Sequence, residues 1–161
     1  MSTLFRVQLP CRLYQEMLTH AQTAYPNECC GLLAGVRRAG SVSDRSPSDN
    51  QNEDLGVVTH HYPLLNELAS PTEYQSDPRS HLRAEKAMRE NGLDLLAIYH
   101  SHPSSEPVPS RKDIERNLYF REVHLIISLM DKEPLMRGWR LDETSYTEVQ
   151  WDWIDDGERE A

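Results

Sequence analysis

Cysteine is scarce in this chain: Cys11, Cys29 and Cys30 are the only three in 161 residues. An odd number with neither zinc-finger nor redox spacing opposes a disulfide scaffold and suits a reducing compartment, so the expected location is cytoplasmic. No run approaches the ~18 consecutive apolar residues of a membrane span, and no charged-then-apolar signal pattern precedes Pro10. Clusters of Lys and Arg interleaved with aromatics are also missing. With a formal charge of -9 and a pI near 5.2 the chain lacks the basic footprint that phosphates require, which argues against nucleic acid as a partner. The acidity reads as simple solubility. There are no repeats and no linker, and a chain of this length makes one domain able to bury roughly two-thirds of its unfolded surface. That domain is expected over 1–154, with 155–161 as an acidic, fraying tail.

Thr3 to Gln8 reads as a first strand. Pro10 can open a helix in which Leu13, Met17, Ala21 and Ala24 recur three or four apart, closed by Pro26. Gly31 to Val36 is a short apolar strand. Arg37 to Asp54 is nearly devoid of apolar residues and reads as a flexible hairpin connection, returning as a strand over Leu55 to Tyr62. Pro63 to Ser76 has little signal and is taken as a mobile loop beside the site. Asp77-Pro78 pairs an N-cap with a first-position proline, and the helix runs to its stop at Asn91-Gly92. Strands follow at Leu93 to Tyr99, Glu122 to Met130, Met136 to Asp142 and Tyr146 to Trp153. Strands and helices intersperse without regular βαβ alternation, so the expected fold class is α/β of the α+β kind, a mixed sheet flanked by helices.

The chemistry gathers around His100-Ser101-His102-Pro103. At the end of a strand, residues two apart share a face, so His100 and His102 look into one cleft while Ser101 turns away. Pro103 ends the strand, and after a Pro-rich loop Ser110-Arg111-Lys112-Asp113 has the S-x-x-D form of a helix start, with Ile114, Leu118 and the stem of Arg121 continuing the helical face. Two imidazoles and a carboxylate suit zinc, and three protein ligands leave the fourth tetrahedral position to water, as in catalytic sites. The plainer alternative is that two polar residues end a strand and that Ser110 and Asp113 merely cap a helix.

With Glu28 upstream, the sequence H-S-H-P to S-R-K-D resembles the signature of the JAMM metallopeptidases, also called MPN+ or JAB. Pro26 to Gly35 resembles the family's stretch around its catalytic glutamate, and Asn66, Ser70-Pro71, Tyr74 and Asp77-Pro78 resemble its prokaryotic branch. The resemblance spans roughly residues 5 to 153. It implies a curved, mostly antiparallel sheet between helices, akin to cytidine deaminases, although the deaminase pattern H-x-E with P-C-x-x-C is absent here. It also implies one Zn2+ per chain on His100, His102 and Asp113, Glu28 as the base that moves a proton from water to the leaving nitrogen, and Ser110 as a donor to the oxyanion. By themselves, Glu28 reads as an exposed acid after a helix and Ser110 as a helix cap, and whether one hydroxyl can cap and donate together is left open.

The family acts on peptide or isopeptide bonds after the C-terminal Gly-Gly of ubiquitin or ubiquitin-like proteins, and some prokaryotic members release amino acids from sulfur carriers. The implied enzyme is a zinc metallopeptidase of the isopeptidase or deubiquitinase-like kind, with a ubiquitin-like sulfur carrier as partner, its tail adding as a strand to a sheet edge. The gap between Asp113 and the strand at Glu122 is too short for the second insertion of the eukaryotic linkage-selective deubiquitinases. Two rivals stand beside this reading: a metal-free scaffold that binds partners, and a zinc hydrolase of a small amide or nucleobase. No membrane partner is expected, and the oligomeric state is open, a homodimer included. Cys29 and Cys30 lack a partnered base and read as packing residues aimed to opposite sides. His20, His60, His61, His81 and His124 have no ligand spacing and read as surface or satisfied residues. Trp139, Trp151 and Trp153 read as sheet packing. Arg111 and Lys112 flank the site and either face solvent or meet a carboxylate on the substrate.

Overall fold

The computed structural model describes residues 5–39 and 54–155. In chain order the elements are β1 (Phe5–Pro10), α1 (Cys11–Ala24), β2 (Cys30–Ala39), β3 (Asp54–Leu64), α2 (Pro78–Glu90), β4 (Asp94–His102), α3 (Arg111–Glu115), β5 (Val123–Ser128), β6 (Leu135–Leu141), β7 (Tyr146–Val149) and β8 (Trp151–Ile154). The strands form one eight-stranded sheet in the order β7-β6-β5-β4-β2-β3-β1-β8. Four of its seven pairings are antiparallel, and β1 with β3, β1 with β8 and β4 with β5 are parallel. The sheet is thus mixed and mostly antiparallel, as expected.

The expected final strand, Tyr146 to Trp153, is in fact two. Gln150 alone separates β7 from β8, yet the two lie at opposite ends of the strand order. Only a sheet curled round on itself can satisfy both pairings. The approach is visible at Gly138 on β6, where a Cβ would lie 3.2 Å from the Val149 carbonyl and 3.4 Å from the Trp151 ring. Period-2 patterning does not announce such a break, because β7 and β8 both alternate.

Two apolar layers sandwich the sheet. On one face α1 places Leu13, Met17 and Ala21 against Val7, Leu9, Leu33, Leu96 and Leu125. Leu13 and Met17 each contribute about 2 kcal/mol of burial. On the other face Ala84 and Met88 of α2 meet Cys30, Leu32, Leu64 and Ile98. Asp77 caps α2, its carboxylate accepting from Ser80 N at 3.0 Å, with Pro78 in the first turn. Cys29 and Cys30 fall into the two different layers, as alternation requires.

Several boundaries differ from expectation. Thr3 and Leu4 lie outside the described residues, and β1 runs on to Pro10. Arg37 to Ala39 extend β2 rather than opening the connection, whose remaining residues, 40–53, lie outside the described residues, as do 156–161 of the tail. Pro63 and Leu64 join β3. The helix after Ser110 stops at Glu115, so Leu118 does not continue a buried face and is 82% exposed. Its Lys112 and Arg116 lean instead on Glu73.

The lone histidines are satisfied, and one of them sets an acid limit on stability. His124 is buried on β5 and donates Nε2–H to the Tyr119 carbonyl at 2.8 Å. Burial pushes its imidazole down to about 4. Unfolded, the ring titrates near pH ~6.5, so below that pH the unfolded chain takes up a proton that the folded chain refuses. Stability is intact above the unfolded value and is lost as pH falls toward the folded one, by about 3 kcal/mol in full. His124→Gln keeps a donor for Tyr119 but cannot titrate. Urea unfolding of this variant at pH 7 and pH 4 should show a smaller acid loss than wild type, by about 2–3 kcal/mol. An unchanged difference would refute the assignment.

Candidate metal centre

Strand β4 delivers both histidines. It pairs antiparallel with β2 and parallel with β5, and its register with β2 shifts between Leu33 and Ala34, leaving Leu96 as an extra residue. The bulge lets Leu96 and Ala97 both enter the α1 layer. Beyond it alternation resumes: Tyr99 and Ser101 face α1, while Ile98, His100 and His102 face α2 and α3. As expected, the strand carries both histidines and ends just before Pro103. Ser101 does turn away, and its hydroxyl accepts from Cys29 N at 2.8 Å, tying the residue after Glu28 to the histidine strand.

Asp113 arrives from α3. Ser110 is the N-cap, its Oγ accepting from Asp113 N at 3.1 Å, while Asp113 Oδ2 accepts from Ser110 N at 2.8 Å, a reciprocal capping box. As a cap the Ser110 oxygen accepts, which does not use its own O–H proton. Asp113 Oδ2 lies 3.1 Å from His100 Nε2 and 3.3 Å from His102 Nε2, and the two Nε2 atoms are 3.1 Å apart. His102 Nδ1 donates to the Glu106 carbonyl at 2.7 Å, which leaves the Nε2 lone pair of a neutral ring aimed at the cluster. Burial alone would raise the Asp113 carboxyl, but the two imidazoles and the Ser110 N–H outweigh it and hold the group well below the usual carboxylate range.

These three residues are the group of metal-capable side chains found among the described residues. A tetrahedral zinc with N and O donors at about 2.0–2.2 Å sets those donors about 3.3 Å from one another. The observed triangle matches that edge length, and the His102 ring and the Asp113 carboxylate both turn acceptors toward its centre. The residues therefore fit zinc.

Glu28 stands beside them, 5% exposed, in the short link between α1 and β2. The bland expectation of an exposed acid is thus overturned. Its Oε1 has no hydrogen-bond partner, and burial pushes its carboxyl up to about 7, with His100 and His102 pulling the other way. Position comes through its backbone: Glu28 N donates to the Ser70 carbonyl at 2.8 Å, and Asn66 Nδ2 donates to the Glu28 carbonyl at 3.0 Å. Asn66 fills its remaining valences within the segment between β3 and α2, donating to Glu73 O and accepting from Leu68 N and Gln75 N. The weakly patterned loop is therefore a strap organised by one side chain.

The strap continues across the site. Tyr74 stacks on His100, and Glu73 bridges Lys112 and Arg116 at 3.2 and 2.8 Å, so Lys112 meets a carboxylate of its own chain, while Arg111 pairs with Glu115. A cavity of about 860 Å³ opens here, lined by Tyr74, His81, His100, Lys112, Asp113 and Tyr119, among others. The orienting carbonyl of Glu106 was not foreseen; the Glu106-Pro107 step, four residues after His102 in a Pro-rich loop, was its only signal.

Residues 10–142 match the family of prokaryotic homologs of the JAB domain. The chain belongs to this family. This JAB-family chain is 32% identical over 146 residues to a desampylase of Haloferax volcanii, covering 88% of this chain and 93% of the relative. It is 29% identical over 147 residues to a CysO-cysteine peptidase of Mycobacterium tuberculosis, covering 91% and 90%. Its fold resembles the solution structure of protein DSY2949 from Desulfitobacterium hafniense, with a TM-score of 0.76 and 33% identity over 93% of this chain and 94% of that one. No helix among the described residues of this JAB-family protein is long and apolar enough to cross a membrane.

Proposed function

We propose that this JAB-family protein is a zinc-dependent peptidase that hydrolyses the peptide or isopeptide bond after the C-terminal Gly-Gly of a ubiquitin-like, sulfur-carrier protein. The observation that carries the reading is a three-donor pocket of zinc dimensions set beside a buried carboxylate with an unpartnered oxygen. The similarity to a desampylase and to a CysO-cysteine peptidase supports a peptidase as against a scaffold. The complete ligand set points the same way.

His100, His102 and Asp113 would hold one zinc per chain. When bound, zinc supplies a Lewis acid that polarises a carbonyl and lets water ionise near neutral pH. Glu28 takes the proton of the attacking water on its carboxylate and passes it to the departing nitrogen, a task worth roughly 10²- to 10⁴-fold. A group that must both accept and release a proton does so best with a pKa near the working pH, and burial supplies that rise. Ser110 donates its free O–H to the carbonyl oxygen under attack while its lone pair continues to cap α3. β4 is flanked on both sides by strands, so an incoming tail cannot add to the site strand, and its contacts come from the loops at the cleft. The free cysteines are in keeping with a cytoplasmic setting.

The decisive experiment is incubation with ubiquitin-like proteins bearing C-terminal extensions, followed by intact mass. A new species ending at Gly-Gly is expected. Masses that stay unchanged, in protein shown to carry zinc, would exclude this substrate class. Less than about half an equivalent of zinc, not restored by added metal, would favour the scaffold instead.

A further inference from the structure

The strap brings one more polar group to the cleft. The Tyr74 ring lies over His100, centroids 4.6 Å apart and planes inclined at 26°, and packs against the cluster of Cys30, Leu32 and Ile98. Packing accounts for the ring. It does not account for the hydroxyl, which makes no hydrogen bond to the described residues and is not sealed from solvent. The other tyrosine hydroxyls nearby are engaged: Tyr99 is bonded by both His20 and His61, and Tyr119 by His81. Tyr74 shares the wall of the 860 Å³ cavity with His100, Lys112 and Asp113.

A hydroxyl left open on a cavity wall beside reactive groups can exchange water for an acceptor on a ligand. The strap holds it there in advance, since Asn66 bonds Glu73 O on one side of Tyr74 and Gln75 N on the other. Binding to a preplaced donor avoids the entropy of ordering it.

We propose that the Tyr74 hydroxyl donates a hydrogen bond to a backbone carbonyl of the substrate's Gly-Gly tail, which makes Tyr74 a substrate-binding residue. The inference rests on the functional reading above. Two glycines present no side chains, so a site that selects them must read their amides, and a fixed phenolic O–H beside the metal ligands is suited to that. Sites built around such a bond lose binding when either partner is removed.

Tyr74→Phe tests this cleanly, because it keeps the ring, its stack on His100 and its packing and deletes only the hydroxyl. KM for an extended ubiquitin-like protein should rise about 5- to 50-fold, with kcat within about twofold of wild type and unaltered zinc content and Tm. Calorimetric binding of the same protein to Glu28→Gln and to Glu28→Gln/Tyr74→Phe should show the same loss without turnover. Unchanged KM and Kd, or a fall in kcat at constant KM, would overturn the role of Tyr74 alone. Zinc-loaded wild type that neither binds nor cleaves such tails would overturn the functional reading and this inference together.

Discussion

Glu28→Gln should retain about one equivalent of zinc and lose at least 10²- to 10⁴-fold in turnover of a Gly-Gly-extended protein, measured by intact mass. The side chain is not one of the three grouped ligands and its Oε1 makes no hydrogen bond to them, so binding and chemistry separate at this residue. The same substitution carries a second, independent expectation. Burial raises the Glu28 carboxyl from 4.5 to about 7, so in metal-free protein the folded state keeps a proton that the unfolded chain has lost. Stability is fully present below the unfolded value and is lost as pH rises through the folded one, by up to about 3 kcal/mol. Glutamine has the shape of the protonated acid and never ionises. Metal-free Glu28→Gln should therefore unfold several degrees higher than metal-free wild type at pH 8 and show no such advantage at pH 4.5. Near-normal turnover would remove Glu28 as the base. A pH-independent difference in Tm would instead mean that the carboxylate is better solvated than its surroundings suggest.

How much of this was legible beforehand depends on the range of the interaction. The S-x-x-D turn, the Asp77-Pro78 helix start and the alternation of His100 and His102 are local, and each stands where its spacing placed it. Glu28 was legible only through its resemblance to a family pattern, because its burial depends on Ser70 and Asn66, some forty residues downstream. The curl of the sheet was illegible for a related reason. A single residue between two alternating segments sends them to opposite edges, and nothing at Gln150 records which edge has room. The strap shows the same limit from the other side: residues 65–76 have no periodicity, yet four bonds from one asparagine shape them. The exposure of Leu118 follows from the brevity of α3, which ends before a second turn can bury it.

His102→Ala should abolish zinc binding and, with it, all hydrolysis. The residue contributes one corner of the triangle and is itself oriented by the Glu106 carbonyl, so alanine removes one of the three preplaced donors. Asp113 and His100 would remain, and two ligands hold zinc far more weakly than three, by ~10²-fold or more on the scale seen for lost metal-site partners. Zinc per chain after dialysis should fall from about one to below about 0.1. A ligand that binds only the folded state stabilises it by about 2.7 kcal/mol at a hundredfold excess over Kd, so added zinc should raise the Tm of wild type and leave that of His102→Ala unmoved. His124→Gln is the matched control. It alters another buried histidine lining the same cavity but outside the triangle, and should keep both zinc and the zinc-induced rise in Tm. A full equivalent of zinc on His102→Ala would place the metal elsewhere, and loss of zinc from both variants would mean that the cavity wall, and not the triangle, governs retention.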